Sequence, residues 1–425
     1  MSVFSNGSIK TMYIDPVSFV PNGRCAFELD ASKAMYLPNM RLLNVGCFNG
    51  TGVTPYSLGV GASAVIRNIS LLDARTELSA QRNITPLSFF KNLNRSNNIN
   101  KSNDSWLKRN RLGFEVNGIN NKITSVYNRG SSGDSEAQSD TAYLDLREVL
   151  PLLNEIPALP TSVFSNLRIE VEFQKQAQQI LGNTSYNLTV MRPVLAVDYV
   201  DNEALVPALM EQLTNGVEWK EIEWDNFIVP AVDTSGYQVA DVKTQAVQNQ
   251  SLAFLGKTVD RLLITKQVVD IGLEANGDLV LGYGGVASSQ AVLNQTTQVR
   301  LNGKNVWGTF NGITGTNEML GTVVDAYGEM QAYPGSTNYL WNQATNLNGD
   351  EATPPAGYGQ TAGQASFACC ELGARVANLQ IALSRTNNRD AGAKATTNAA
   401  LQVNLYAEVH KVITFNNGSY SVIYA

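Results

Sequence analysis

NLRIEVEF, residues 166–173, puts Leu167, Ile169, Val171 and Phe173 on one side of an extended chain and Arg168, Glu170 and Glu172 on the other. A repeat of two residues belongs to a β-strand, because successive side chains leave its opposite faces in turn. The segment reads as a half-buried antiparallel strand. LQVNLYAEVHKV, residues 401–412, repeats the pattern: Leu401, Val403, Leu405, Ala407 and Val409 share an apolar face, and Gln402, Asn404, Tyr406, Glu408 and His410 share the other. ANLQIALSR, residues 377–385, does the same with Leu379, Ile381 and Leu383.

Turn chemistry fits this strand pattern. RLNGKNVW sets Asn302 and Gly303 between two extended runs, and ITFNNGSYSVIY places Asn416, Asn417 and Gly418 likewise. Asn-Gly favours the two-residue hairpin because both positions need a positive φ. Many short strands with such turns indicate sandwiches or barrels, and nothing shows the strand and helix alternation of a parallel sheet. Helical candidates are few. NITPLSFFKNLN offers Thr85 as N-cap and Pro86 in the first turn. DNEALVPALMEQLTNG sets Leu205, Leu209 and Leu213 on one stripe, with Pro207 near its start and Gly216 at its end. In YLDLREVLPLLNEIPALP, Pro151, Pro157 and Pro160 prevent one long helix.

The helix at 203–215 lies near the middle of a 425-residue chain. Each flanking half, about 200 residues, is long enough to close a sandwich of its own. NMRLLNVGCF (39–48) and VDRLLITKQV (259–268) both pair Arg-Leu-Leu with an apolar run, an echo across the halves. The expected division is 1–200, a linker with a short helix at 201–217, and 218–425. Residues 94–141 and 342–366 read as long surface excursions.

With 44% hydrophobic and 16% charged residues, the composition is that of a packed chain rather than a disordered one. The start, MSVFSNGSIKTMYIDP, lacks a basic segment followed by an apolar core, so no signal peptide is expected, and no run reaches the ~18 apolar residues of a membrane span. Cys25, Cys47, Cys369 and Cys370 lack the spacing of a zinc site or a disulfide framework and are expected to be buried free thiols.

Catalytic patterns are scarce. The chain has one histidine, His410, on the polar side of a strand, so a His-based triad or multi-His metal site lacks its residues. GVGASA (59–64) imitates a dinucleotide fingerprint, but VIRNISLLDARTEL after it reads as a strand instead of a helix. LGYGGVASS (281–289) lacks the phosphate-loop lysine. Glu170 and Glu172 share a strand face, and EWKEIEWDNF groups Glu218, Glu221, Glu223 and Asp225 with Trp219 and Trp224. That group is either a sugar-stacking platform or a strand entering the second half. Between Lys91 and Arg111, six basic residues surround Trp106. They are either phosphate contacts or a solvated subunit contact, and the net charge of -6 opposes general nucleic-acid affinity. No catalytic, cofactor or metal residues are assigned, and the chain is expected not to be an enzyme.

YLDLREVLPLLNEIPALP with NLRIEVEF, GASAVIRNISLLDARTEL and VRLNGKNVW resemble segments of the double jelly-roll major capsid proteins of tailless icosahedral DNA viruses, such as the virophage, Polinton-like and adenovirus-type lineages. The resemblance implies an all-β fold of two tandem antiparallel jelly-roll sandwiches with a few short helices and long loops. It also implies a structural virion protein, a homotrimer of pseudo-hexagonal outline tiling an icosahedral shell, with 94–141 and 306–366 as excursions forming towers or trimer contacts. Implied partners are its own copies, neighbouring trimers, penton and minor capsid proteins, and the genome weakly through the basic loop. The implied location is the virion capsid, after synthesis in the host cytoplasm. The alternative is a carbohydrate-binding or carbohydrate-active β-sandwich built on Trp219 and Trp224.

Overall fold

A computed structural model describes residues 9–45, 47–49, 66–84, 87, 90, 114–116, 123–125, 143–174, 188–190, 192–201, 203–214, 218–232, 243–244, 248–249, 254–268, 295–307, 312, 322–323, 325–327, 367–385, 401–416 and 418–424. Before residue 201 the strands are β1 (Ile9–Ile14), β2 (Ser18–Phe19), β3 (Arg24–Glu28), β4 (Met35–Leu43), β5 (Cys47–Asn49), β6 (Ile66–Asp73), β7 (Thr76–Gln81), β8 (Phe114–Val116), β9 (Ile123–Ser125), β10 (Tyr143–Asp145), β11 (Leu159–Pro160), β12 (Leu167–Phe173), β13 (Leu188–Val190) and β14 (Val194–Val200). The helices α1 (Leu152–Glu155) and α2 (Val206–Thr214) precede β15 (Glu218–Val232), β16 (Lys243–Thr244), β17 (Gln248–Asn249), β18 (Thr258–Val268), β19 (Gln295–Leu301), β20 (Lys304–Asn305), β21 (Phe367–Arg375), β22 (Leu379–Arg385), β23 (Leu401–Asn416) and β24 (Ser419–Tyr424).

Strand order reveals a duplication. In the first half, one sheet runs β1-β14-β4-β10 and the other β2-β3-β12-β6-β7. In the second, one runs β15-β23-β18-β21 and the other β16-β22-β19-β20, with β17 also on β22. Each half therefore pairs its opening strand (β1, β15) with a strand near its end (β14, β23) that also pairs β4 or β18, and sets β12 or β22 between β3 and β6 or between β16 and β19. That is the jelly-roll order, which folds one long antiparallel excursion into two facing sheets. The chain is an all-β double jelly roll. No described sheet takes strands from both halves.

The alternating segments are the strands that carry this order. β12 buries Leu167, Ile169, Val171 and Phe173 and leaves Arg168, Glu170 and Glu172 half-exposed. It lies between β3 and β6, so its inward residues fill the middle of the first core. β22 is its counterpart, between β19 and β17. The two strands start alike. The Asn166 carbonyl accepts the Ala74 amide, and the Asn378 carbonyl accepts the Asn302 amide. Asp73 and Asn302 return the favour by accepting the Asn166 and Asn378 amides on Oδ1. Asn302 and Gly303, at φ 51° and 84°, turn β19 into β20 as the Asn-Gly signal requires. β23 and β24 also form a hairpin, with Asn416 opposite Ser419 and Gly418 at φ 78°.

The helical signals have mixed outcomes. Ile84, Leu87 and Phe90 are helical and buried, while Thr85 and Pro86 lie outside the described residues. α2 carries Pro207 in its first turn and packs Val206 and Met210 against the core, as does Leu205 just before it. The proline-spaced run divides as expected into β10, a 3-10 turn at Leu146–Glu148 capped by Asp145, α1 and β11.

Two expectations need correction. β23 is not half-buried: Asn404 through Val409 are all buried, on both faces. Nor is the whole of 306–366 a surface excursion. Val306 and Trp307 pack on the second core, and Val323 and Ala326 are buried. Asn404, Tyr406, Val323 and Ala326 are buried where the first roll meets the second, whereas Val306 and Trp307 pack within the second roll itself. The stretches 59–64, 91–111, 281–289 and 342–366 lie outside the described residues, and within 94–141 only the hairpin of β8 and β9 is described.

Removing side-chain volume from the centre of β12 tests the register. Ile169 is fully buried, so Ile169→Ala is expected to cost about 2–5 kcal/mol in urea-unfolding free energy, whereas Arg168→Ala changes it by less than about 1 kcal/mol.

Candidate functional site

The two rolls meet along a seam at β15. β15 is the edge strand of its sheet, and the first roll lies against it. Trp219 of β15 is 5% exposed, tilted on Phe415 with ring centroids 4.2 Å apart and stacked near Phe164 of the first roll. Tyr420 sits 4.9 Å from Phe164 and donates its hydroxyl to Asp73 Oδ2 at 2.8 Å. Farther along β15, Trp224 packs against Phe90 of the first roll and Tyr327 of the second. Neither indole is a free platform, so the carbohydrate reading of EWKEIEWDNF gives way to that of a seam strand. Aromatic contacts of this kind are each worth about 0.5–1.5 kcal/mol beyond the area they bury.

Polar groups at the seam find partners across it. Gln81 Nε2 donates to the Trp224 carbonyl at 3.3 Å, Asn83 Nδ2 to Asn404 Oδ1 at 3.0 Å, and the Tyr406 hydroxyl to the Asn83 carbonyl at 2.7 Å. These contacts explain why the polar-looking face of β23 is buried: its partners come from β7 and the residues after it. Buried polar groups are tolerated when paired in this way.

Two buried carboxylates stand beside cations. Lys411 is fully buried and donates from Nζ to Glu223 Oε2 at 2.7 Å, with the Tyr424 hydroxyl 3.4 Å from Oε1. Glu408 faces Arg261 at 3.4 Å and Tyr327 at 3.3 Å. Desolvation pushes both Glu223 and Glu408 above the ordinary carboxylate range, and Lys411 and Arg261 respectively pull them back. A carboxyl raised in the folded state favours folding at low pH and loses that contribution as pH rises through its raised value. These two groups therefore do not drive acid unfolding.

The Arg-Leu-Leu echo is structural. Arg41 of β4 pairs with Asp198 of β14 at 3.6 Å, as Arg261 of β18 pairs with Glu408 of β23. β4 thus holds a carboxylate of β14, and β18 one of β23.

Residues of chemically active type are placed apart or enclosed among the described residues. His410 is 40% exposed on its side chain and meets only Asp260, at 2.5 Å, among the described ion pairs. Glu170 is paired with Arg168, and Glu172 with Asn68 and Arg67. Cys25, Cys369 and Cys370 are buried and free, and burial pushes the first two thiols up to about 12. No group of three or more His, Cys, Asp or Glu among the described residues is arranged to hold a metal ion. No helix among them is long and apolar enough to cross a membrane.

No protein-family model matches the chain, and no curated protein does. Solved structures match over nearly its whole length. A chain of the virophage Sputnik, determined by cryo-electron microscopy, aligns with a TM-score of 0.54 at 10% identity, covering 100% of this chain and 90% of that one. The PBCV-1 protein VP54, fitted into a Sputnik reconstruction, gives 0.53 at 14% identity over 100% and 99%. The major capsid protein of mavirus gives 0.51 at 8% identity over 99% and 90%. The likeness at such identities is one of fold, and it agrees with the double jelly roll that the strand order defines.

The Glu223–Lys411 pair is expected to behave as a buried ion pair. Lys411→Met or Glu223→Gln alone should cost about 3–5 kcal/mol, and Lys411→Met with Glu223→Leu much less, read from urea midpoints. The thiols give a second check. Cys25, Cys369 and Cys370 should resist iodoacetamide at pH 8 in the native protein and react in denaturant, with sites located by peptide mass mapping.

Proposed function

We propose that this chain is the major capsid protein of an icosahedral virus, a structural protein that works by burying surface against copies of itself. The carrying observation is the repeated jelly-roll order in the two halves, joined by a packed seam. Two similar rolls per chain make three chains six-lobed, an outline that tiles a shell. In this reading 1–200 and 218–425 are the two rolls and 201–217 joins them. The capsid proteins of mavirus and PBCV-1 share the fold, which supports the same role here.

The reading needs no catalytic, cofactor or metal residue, and it accounts for what the carboxylates and cysteines do instead: they are paired or enclosed in the core. The chain's partners are then its own copies first. Penton and minor capsid proteins, and the genome through Lys91 to Arg111, are further partners in the same reading. Its place is the virion shell.

Native mass by light scattering after size exclusion, followed by negative-stain imaging, tests the proposal. A trimeric mass with six-lobed particles is the expected result. A monomer at micromolar concentration across salt and pH would overturn it.

A further inference from the structure

Asn-Gly pairs recur along the chain, and in two of them, Asn22-Gly23 and Asn302-Gly303, both residues are described. Such a pair is chemically weak. The glycine amide nitrogen attacks the asparagine Cγ, a C–N bond forms, ammonia leaves, and water opens the resulting succinimide at either carbonyl to give aspartate or isoaspartate. Glycine favours the attack because no Cβ crowds its nitrogen. The step requires the side-chain carbonyl to turn onto the following amide, so the other bonds of that carbonyl decide whether it runs.

Asn302 is exposed, so burial does not shield it from water or base. Its side chain is engaged at both ends instead. Oδ1 accepts the Ala377 amide at 3.0 Å and the Asn378 amide at 2.9 Å, while Nδ2 donates to the Arg375 carbonyl at 3.2 Å. Two N–H donors at one end and a carbonyl at the other fix which end is oxygen. The Asn302 amide adds a fourth bond, to the Asn378 carbonyl at 2.8 Å. Residues 375–378 are the corner at which the chain leaves β21, in one sheet of the second roll, for β22, in the other. The side chain therefore staples the hairpin of β19 and β20 to the corner that joins the two sheets. Asn22 is engaged in a similar way: its Oδ1 accepts the Val190 amide at 3.0 Å, and the Gly23 amide that would attack it donates to the Val20 carbonyl at 3.0 Å.

The first roll makes the corresponding contact with other residues. Ala74 takes the turn position of Asn302, at φ 53°, and Asp73 Oδ1 accepts the Asn166 amide at 2.8 Å. That roll thus secures its equivalent strand with a carboxylate, which has no ammonia to lose.

We propose that Asn302 is a latent deamidation site: bound to residues 375–378, its side chain does not reach the Gly303 amide, and opening of the hairpin frees it to react. The products do not restore the staple. Conversion removes the Nδ2 donor and sets a carboxylate oxygen against the Arg375 carbonyl, and isoaspartate adds a main-chain carbon to a two-residue turn whose length sets strand register. Opening of the second roll at this corner thereby becomes irreversible. The proposal goes beyond the capsid reading and does not depend on it.

The test uses the full chain, incubated at mildly alkaline pH with and without unfolding urea, and follows the peptide containing Asn302 by mass mapping. Conversion to aspartate and isoaspartate is expected to be at least about tenfold slower in the folded protein than in urea. Ala377→Pro, which deletes one donor to Oδ1, should speed conversion in the folded chain and leave it unchanged in urea. Asn302→Asp, one of the two products, should lower the urea midpoint. Equal rates in the folded and unfolded wild type would overturn the proposal, as would an unchanged midpoint in Asn302→Asp or a folded Ala377→Pro variant that converts no faster.

Discussion

Burial of both faces of β23 is the constraint on which the rest of the structure depends. Its inward side chains Leu405, Ala407 and Val409 close the second core, and its outward Tyr406 joins the apolar cluster that fills the first roll. A strand paired to β15 along most of its length and to β18 on the other side cannot shift register without exposing one set and burying the wrong polar groups in the other. The two rolls are therefore held in one relation by the strand that completes the second of them. The continuous cluster from Phe164 through Trp219 to Phe415 makes that relation an apolar one, of the sort that resists relative motion of domains.

The polar residues of the seam follow from the same constraint. A face covered by another roll needs partners from across the gap for its buried polar groups, and Asn83, Gln81 and Asp73 supply them for Asn404, Trp224 and Tyr420, although Gln81 Oε1 has none of its own among the described residues. Charges at the seam are similarly matched, Glu223 with Lys411 and Glu408 with Arg261. Groups that in an enzyme would be poised for proton transfer are here tied into pairs and removed from solvent. They specify how the rolls meet more than they add to stability, since a buried ion pair recovers little beyond its own desolvation.

The duplication also explains why such different sequences share a fold. β12 and β22 agree in period, in their leading Asn-Leu and in the backbone bonds that anchor them, yet their outward faces differ, charged in one and largely neutral in the other. What recurs is the requirement of the strand order: an apolar inward face at each strand, a turn that accepts positive φ, and a carboxylate on β14 or β23 for the arginine on β4 or β18. Those needs are compatible with many sequences, which is consistent with full-length structural matches at 8–14% identity.

Much of this was legible in the residues themselves. The alternation of 167–173 and 379–385 determined strand, register and inward face, because a half-buried strand forces a period of two on its side chains. Asn302-Gly303 determined a hairpin, because few other residues adopt its two positive φ angles at low cost. The echo around Arg41 and Arg261 marks equivalent strands of the two sheets. Tertiary structure alone decided that the polar-looking face of β23 is interior, that Trp219 and Trp224 are seam rather than platform, and that Val323 and Ala326 are buried. The physical reason is that periodicity records which face of a strand is apolar, whereas burial of its amphipathic face depends on partners such as Asn83, more than 300 residues distant along the chain from Asn404 and Tyr406.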